Sequence, residues 1–184
     1  GCGACCRQLV PISSVEARVL TELIDRLPEA RRAVVEERFG DAAERLAAAG
    51  LLEKLEHPER FPDRDLHELG LDYFRQGIAC PFLENESCSI YEERPIACRE
   101  YLVTSPAAHC ARPTAETVRI VPLAGKASTA LSRLEEEPGA RFVPWVPLVL
   151  APTWVAQHPE LPALRPGPEL LRDFFTRLAE PAKA

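Results

Sequence analysis

Seven cysteines, grouped in two clusters, are the residues of this chain whose type and spacing could do chemistry. The first cluster is Cys2, Cys5 and Cys6, and the second is Cys80, Cys88, Cys98 and Cys110. Thiolates are common ligands of zinc and of iron–sulfur clusters. An odd number of cysteines, two of them adjacent, pairs poorly into disulfides, and a chain of 184 residues does not need disulfides to fold. The cysteines therefore predict metal binding in a reducing compartment.

The spacing within each cluster limits how the thiolates can share a metal. Cys2 and Cys5 form a C-x2-C pair, which lets two thiolates bind one ion or one cluster. Side chains of neighbours such as Cys5 and Cys6 diverge in an extended chain, so at most one of them should reach a given ion. The other one serves a second centre or stays a free thiol. The second cluster has no C-x2-C pair, so we expect the two clusters, with 73 residues between Cys6 and Cys80, to meet in space.

Two further kinds of side chain lie close to the cysteines in sequence. His109 precedes Cys110 and could replace a thiolate as a nitrogen ligand, although adjacent residues seldom bind one ion together. Arg7, Arg94 and Arg99 each lie within four residues of a cysteine and could balance the negative charge of the thiolates. Surface ion pairs with neighbouring glutamates explain these arginines equally well, so both interpretations stay open.

The residues around the cysteines resemble a known family. Residues 1–7 read GCGACCR, residues 80–83 read CPFL, and residues 88–99 read CSIYEERPIACR. Over roughly residues 1–110 this pattern is similar to the bacterial CxxCxxCC family, a zinc- or iron-chelating domain that is also called YkgJ-like. The family motif is C-x2-C-x2-CC, so Cys2, Cys5 and Cys6 correspond to its last three cysteines. The first cysteine of the motif would then lie two residues before Gly1.

The resemblance implies metal binding, with all seven cysteines as candidate ligands. Flagellin lysine methylases are similar over the same cysteine region, which implies a peptide or protein substrate as an option. Whether the protein is an enzyme stays open. The alternatives are a non-catalytic module that zinc stabilises for partner binding, and a metal-trafficking or metal-sensing protein. Because iron–sulfur clusters accept cysteines from widely spaced loops, we expect an iron–sulfur cluster in preference to zinc.

Composition excludes several other classes of protein. The net charge of −6 argues against nucleic acid or an anionic membrane as a partner. The 46% of apolar residues lets the chain bury a core of its own, which excludes general disorder. The longest apolar run, residues 142–156, is too short for a transmembrane helix and contains three prolines. No basic stretch followed by an apolar one marks a secretory signal, so we expect a cytoplasmic protein.

The periodicity of apolar residues predicts a mainly α fold. Ser13, Ser14 and Glu16 predict a helix start with a capping box. Pro28 ends this helix and begins a second one that runs to Gly50. The inward faces should carry Val15, Val19, Leu20, Leu23, Ile24 and Leu27 in the first helix, and Ala33, Val34, Phe39, Ala43, Leu46 and Ala47 in the second. The charged residues 31–38 of the second helix should face solvent.

The rest of the chain is less regular. A third helix is predicted over residues 63–76, with Leu66, Leu69, Tyr73 and Phe74 inward, and a helical turn after Pro95. Further helices are predicted over residues 127–136 and 169–179, and residues 117–121 carry the only short strand signal.

A proline-rich apolar connector, residues 142–168, contains Trp145 and Trp154. We expect it to pack onto the helices, with a groove for a partner as the alternative. The whole chain, 1–184, should form one domain, with 1–112 as its metal-binding part and 113–184 as a helical, proline-rich extension.

Overall fold

The structure is a computed structural model that describes residues 2–114, 116–136, 142–161 and 165–180. The described residues form a mainly α fold, as the sequence predicts. The helices are α1 (Ser14–Asp25), α2 (Glu29–Ala48), α3 (Leu52–Glu56), α4 (Asp63–Arg75), α5 (Ile96–Glu100), α6 (Ala127–Ser132), α7 (Ala151–Gln157) and α8 (Gly167–Ala179). The strands have two residues each and are β1 (Pro11–Ile12), β2 (Leu83–Glu84), β3 (Ser87–Cys88) and β4 (Val146–Pro147).

The predicted ends of the first two helices are confirmed. The Ser13 hydroxyl accepts a hydrogen bond from the Glu16 amide at 3.2 Å, and the Glu16 carboxylate accepts one from the Ser13 amide at 3.0 Å. This capping box satisfies backbone donors at the start of α1. Pro28 immediately precedes α2, and Gly50, at a φ of +69°, follows its end. A positive φ is costly for other residues, which explains a glycine at this position.

The buried face of α1 differs in part from the prediction. Val15 and Val19 are 42% and 53% exposed, so their predicted inward orientation is wrong. The small side chain of Ala17 takes the buried position instead, and this rotates the buried stripe away from both valines. The buried residues of α1 are Ala17, Leu20, Leu23 and Ile24.

The buried face of α2 agrees with the prediction at Phe39 and Leu46 and differs from it at the alanines and valines. Val34 is 43% exposed whereas Val35 is fully buried, and Ala33 and Ala47 are also exposed. The prediction was wrong because alanine and valine occur on both sides of this helix, so composition alone does not fix the face. The buried residues of α2 are Val35, Phe39, Ala42 and Leu46.

Buried apolar side chains form two clusters. The first apolar cluster joins α1, the N-terminal half of α2 and β4. It also includes Phe82 and Ile90 from residues 80–112, the cysteine-bearing segment. The second joins the C-terminal half of α2 with α3 and α4, and Leu46, Leu55 and Tyr73 are almost fully buried in it. Burial of these side chains provides the main stabilisation of the helices.

The connector packs onto the helices, as expected. Strand β4 pairs antiparallel with β1, with Ile12 opposite Val146, and α7 packs along α1. Helices α3 and α7 were not predicted because both are short. Helix α6 ends before the predicted boundary and continues as the 3-10 helix Arg133–Glu135. Of the predicted strand, Ile120 forms an isolated bridge with Val103. In the described ranges, we find no helix with the length and apolar character needed to cross a membrane.

Candidate metal centre

The two cysteine clusters lie side by side. Cys5 and Cys6 belong to the 3-10 helix Ala4–Arg7, and the Cys80 amide donates a hydrogen bond of 2.7 Å to the Cys6 carbonyl. This bond joins backbone atoms of the two clusters directly. The expected convergence across 73 residues is therefore confirmed at the level of the backbone.

A hairpin positions Cys88 next to Cys80. Strands β2 and β3 pair antiparallel, with Leu83 opposite Cys88. The turn between them consists of Asn85 and Glu86, whose φ angles are +49° and +58°. Two consecutive positive φ values are typical of a tight hairpin turn. The Leu83 amide also donates to the Cys80 carbonyl at 2.8 Å, so the hairpin folds back over Cys80.

Helix α5 carries Cys98 and is anchored to the start of α1. The Ile96 amide, at the N-terminus of α5, donates to the second carboxylate oxygen of Glu16 at 2.7 Å. Glu16 thus caps α1 with one oxygen and holds α5 with the other. The side chains of Cys80, Cys88 and Cys98 pack against the first apolar cluster. The position of these cysteines therefore depends on the same core as the helices.

Two arginines of α2 hold the cysteine-bearing segment from the other side. Arg31 donates to the Ser89 carbonyl and Arg38 donates to the Pro81 carbonyl, each at 3.0 Å. Both guanidinium groups also lie within 4 Å of the Glu84 carboxylate. The Arg31 and Arg38 side chains are 40% and 38% exposed, so they face solvent in part, as predicted, and also hold this segment. Their acceptors are mainly backbone carbonyls, which leave no signal in the sequence.

The thiols of the two clusters change one another's acidity. A hydrogen bond between the side chains of Cys5 and Cys6 lowers the pKa of Cys5 and raises that of Cys6. The expected divergence of these two side chains is therefore wrong, because the residues lie in a 3-10 helix and not in an extended chain. Burial raises the pKa of Cys80 and of Cys98 to about 12 each, and the charges of neighbouring cysteines add to both shifts. A cation placed among these thiols would favour their thiolate forms and so lower the pKa values that burial raises.

Arg94 lies close enough to Cys5 and Cys98 for its charge to influence both thiols. Its charge lowers the pKa of Cys5 and Cys98, although other causes of those shifts are larger. Its guanidinium lies 3.8 Å from the Tyr91 ring centroid, a cation–π contact that fixes its position.

The other two arginines have partners of their own. Arg7 forms two hydrogen bonds with the Glu86 carboxylate, at 2.7 and 3.1 Å. Arg99 donates to the backbone carbonyls of Glu92 and Arg94. The Glu86 carboxylate raises the pKa of Arg7, and the charges of Cys6 and Cys2 add to the shift, so both interpretations fit Arg7. Charge balance fits Arg94.

Cys2, Cys110 and His109 lie at the edge of this arrangement. Cys2 is exposed, with its Sγ 4.0 Å from the Ala107 carbonyl oxygen. Cys110 is buried, which raises its pKa, and the charge of Cys2 adds to the shift. His109 is exposed, and its Nδ1 lies 2.9 Å from the Thr117 carbonyl oxygen. The Nδ1 atom of His109 is therefore engaged with the Thr117 carbonyl.

The donor chemistry fits zinc or iron. All seven cysteines are free thiols, and Cys5, Cys6, Cys80, Cys88 and Cys98 influence one another's pKa. Burial raises the pKa of Cys110, and the charges of Cys2 and Cys5 add to this shift. No three His, Cys, Asp or Glu side chains in the described part of the chain are arranged to hold a metal ion. Metal binding therefore requires the thiols to lose protons and to reorient toward the ion.

Comparison with known proteins agrees with this donor set. Residues 1–118 match the family model CxxCxxCC, described as "Putative zinc- or iron-chelating domain". The matched segment contains all seven cysteines, and helices α6 to α8 lie beyond it. No curated protein and no solved structure matches the chain.

Proposed function

Because the chain belongs to the CxxCxxCC family, we propose that it binds zinc or iron through Cys80, Cys88, Cys98 and one of Cys5 and Cys6. The observation that carries this proposal is the backbone hydrogen bond between Cys80 and Cys6, which brings thiols from both clusters together. Cys2 and Cys110 lie close to each other at the edge, where they could serve a second centre.

We favour an iron–sulfur cluster over a single zinc ion. Either centre takes four thiolates, and the four that we propose are Cys80, Cys88, Cys98 and one of Cys5 and Cys6. They come from a 3-10 helix, a hairpin and a short helix, and iron–sulfur clusters accept ligands from such widely spaced elements. A bound cluster would supply electron-transfer chemistry. The chain would hold it with its thiolates and reduce its net negative charge with Arg94.

A structural zinc site is the second candidate function. It is supported by the packing of Cys80, Cys88 and Cys98 against the first apolar cluster. A site that packs on a core can stabilise loops without any catalytic role, because every coordination position is filled by protein. In this case the metal would hold the cysteine-bearing segment in place for partner binding.

Metal and sulfide analysis of the full chain, purified without oxygen, separates these candidates. Iron and acid-labile sulfide in equal amounts, with a brown colour, support the iron–sulfur cluster. One zinc ion per chain with no sulfide supports the structural site and rejects the cluster. Retention of neither metal after loading with iron plus sulfide, or with zinc, would reject the whole proposal.

A cytoplasmic location is part of the proposal. It is supported by seven free thiols, because an oxidising compartment promotes disulfide formation. Fractionation of the cells that make the protein, followed by immunodetection, should find it with cytoplasmic markers. Its presence only in a membrane or secreted fraction would contradict this location.

A further inference from the structure

A cavity of about 340 Å³ lies apart from the cysteines. Its walls are the end of α3, the residues around β4, and one side of α7, and no cysteine is among the described residues that line it. The volume is within the usual range for sites that bind small molecules. Because most of the wall comes from residues beyond 118, the segment outside the family match builds this cavity.

The walls of the cavity combine aromatic rings with carboxylates. Phe142 and Trp145 provide ring faces, whereas the Trp154 ring stacks on the His158 ring, with the two centroids 4.3 Å apart. Glu56, Glu59 and Glu135 provide the carboxylates, and the described lining contains no lysine or arginine. The Glu59 carboxylate also lies 3.7 Å from the Arg60 guanidinium and 3.5 Å from the His57 ring. The lining therefore has a negative formal charge beside ring faces, which are themselves electron-rich.

An adjoining cavity provides a contrast. It measures about 410 Å³ and shares Trp154 and Glu135 with the first, but Arg18 of this chain also lines it. The Arg18 guanidinium lies 5.5 Å from the Trp154 ring centroid. The chain thus places its own cation against Trp154 in the second cavity. Among the described residues that line the first cavity there is no arginine or lysine, so its Trp145 and Phe142 rings have no such cation from the lining.

We infer that the first cavity binds a small organic cation of the alkylammonium class. Aromatic faces attract such cations through their quadrupoles, and nearby carboxylates add direct charge attraction. The same carboxylates repel anions, and a neutral ligand of equal size gains nothing from them. This activity is separate from the metal centre, because the two sites share no residue.

The two tryptophans of the chain give the test a direct readout, since both line the cavity. Tryptophan fluorescence is measured while the full chain is titrated with n-butylammonium chloride at constant ionic strength. The expected result is a saturable change with this cation, and none with sodium butyrate or 1-butanol over the same range. An equal response to 1-butanol, or no saturable response to the cation, would overturn the inference.

Carboxylate variants test the charge attraction. Glu56→Gln should weaken n-butylammonium binding about fivefold, and the double variant Glu56→Gln with Glu59→Gln should weaken it further. Glu53→Gln is the matched control, because Glu53 is an exposed residue of the same helix that does not line the cavity. Unchanged affinity in the double variant would overturn the inference. If the variants fail to fold, the comparison of ligands on the unaltered chain still decides.

Discussion

Helices α1 to α4 and the cysteine-bearing segment, residues 80–112, are held in place by different interactions. The helices bury side chains such as Val35, Leu46 and Leu55 completely. The cysteine-bearing segment buries Phe82 and Ile90 in the core, packs Cys80, Cys88 and Cys98 against it, and forms hydrogen bonds with Glu16 of α1 and Arg31 of α2. Burial alone can therefore order the helices, whereas the cysteine-bearing segment depends on a few anchors and, in our account, on a metal.

The largest expected effect is loss of the metal from cysteine variants. Cys88→Ser and Cys98→Ser should each abolish retention at the main centre, because serine is a poor ligand for zinc or iron. One of Cys5→Ser and Cys6→Ser should retain the metal, because either centre takes four thiolates and we propose that one of these two thiols is the fourth. Metal-to-protein ratios of the four variants check this. Full retention in both Cys88→Ser and Cys98→Ser would refute the ligand assignment.

Two adjacent valines of α2 test whether burial of apolar side chains stabilises the helices without the metal. Val35→Ala should lower the free energy of unfolding by about 2 kcal/mol, because it removes two buried methyl groups and leaves a cavity. Val34→Ala, at an exposed position, should change it by less than about 0.5 kcal/mol. Urea denaturation with and without a chelator measures both. If Val35→Ala lowered the free energy of unfolding only in the metal-loaded protein, the helices would not be stabilised independently of the metal, which contradicts our proposal.

Arg94 tests whether a positive charge beside the thiols of the cysteine-bearing segment strengthens metal binding. Arg94→Gln should weaken metal binding about tenfold, because it removes the positive charge that faces Cys5 and Cys98. Arg94→Lys keeps the charge and should restore most of the affinity. Competition with a chromophoric chelator measures all three proteins. Equal affinity in Arg94→Gln and the unaltered chain would exclude charge balance by this residue.

The smallest expected effect concerns the anchor between the two regions. Glu16→Ala removes the capping box and the acceptor for the Ile96 amide, so stability should fall by about 1 kcal/mol. Hydrogen exchange at Ile96 should also become faster. Glu22→Ala, at an exposed site on the same helix, is the control and should leave this exchange rate unchanged. Equal exchange rates in both variants would show that Glu16 does not anchor α5.

The two regions also differed in how far the sequence could predict them. Local signals sufficed for the capping box of Ser13 and Glu16, for the helix start at Pro28 and for the turn after Pro95. The meeting of the two cysteine clusters followed from the number of ligands in each. The exposure of Val19 could not be predicted, because the smaller Ala17 decides which face of α1 is buried.

Interactions between segments that are distant in the chain were the hardest to predict from the sequence. The pairing of β1 with β4 joins two short segments that lack a strand pattern, and the acceptors of Arg31 and Arg38 are mainly backbone carbonyls. Such contacts depend on the folded path of the chain, which residue types do not encode locally. A one-domain organisation and a peptide or protein substrate remain predictions.

Hydrogen exchange before and after chelation tests the central claim, that a metal bound by the cysteines orders residues 80–112. Thiols must lose protons to bind the metal, so its removal returns them to the neutral form and releases the elements that they join. The account predicts faster exchange across residues 80–112, with protection in α1, α2 and α4 largely retained. Unchanged protection of residues 88–98 in a protein shown to have lost its metal would contradict the account.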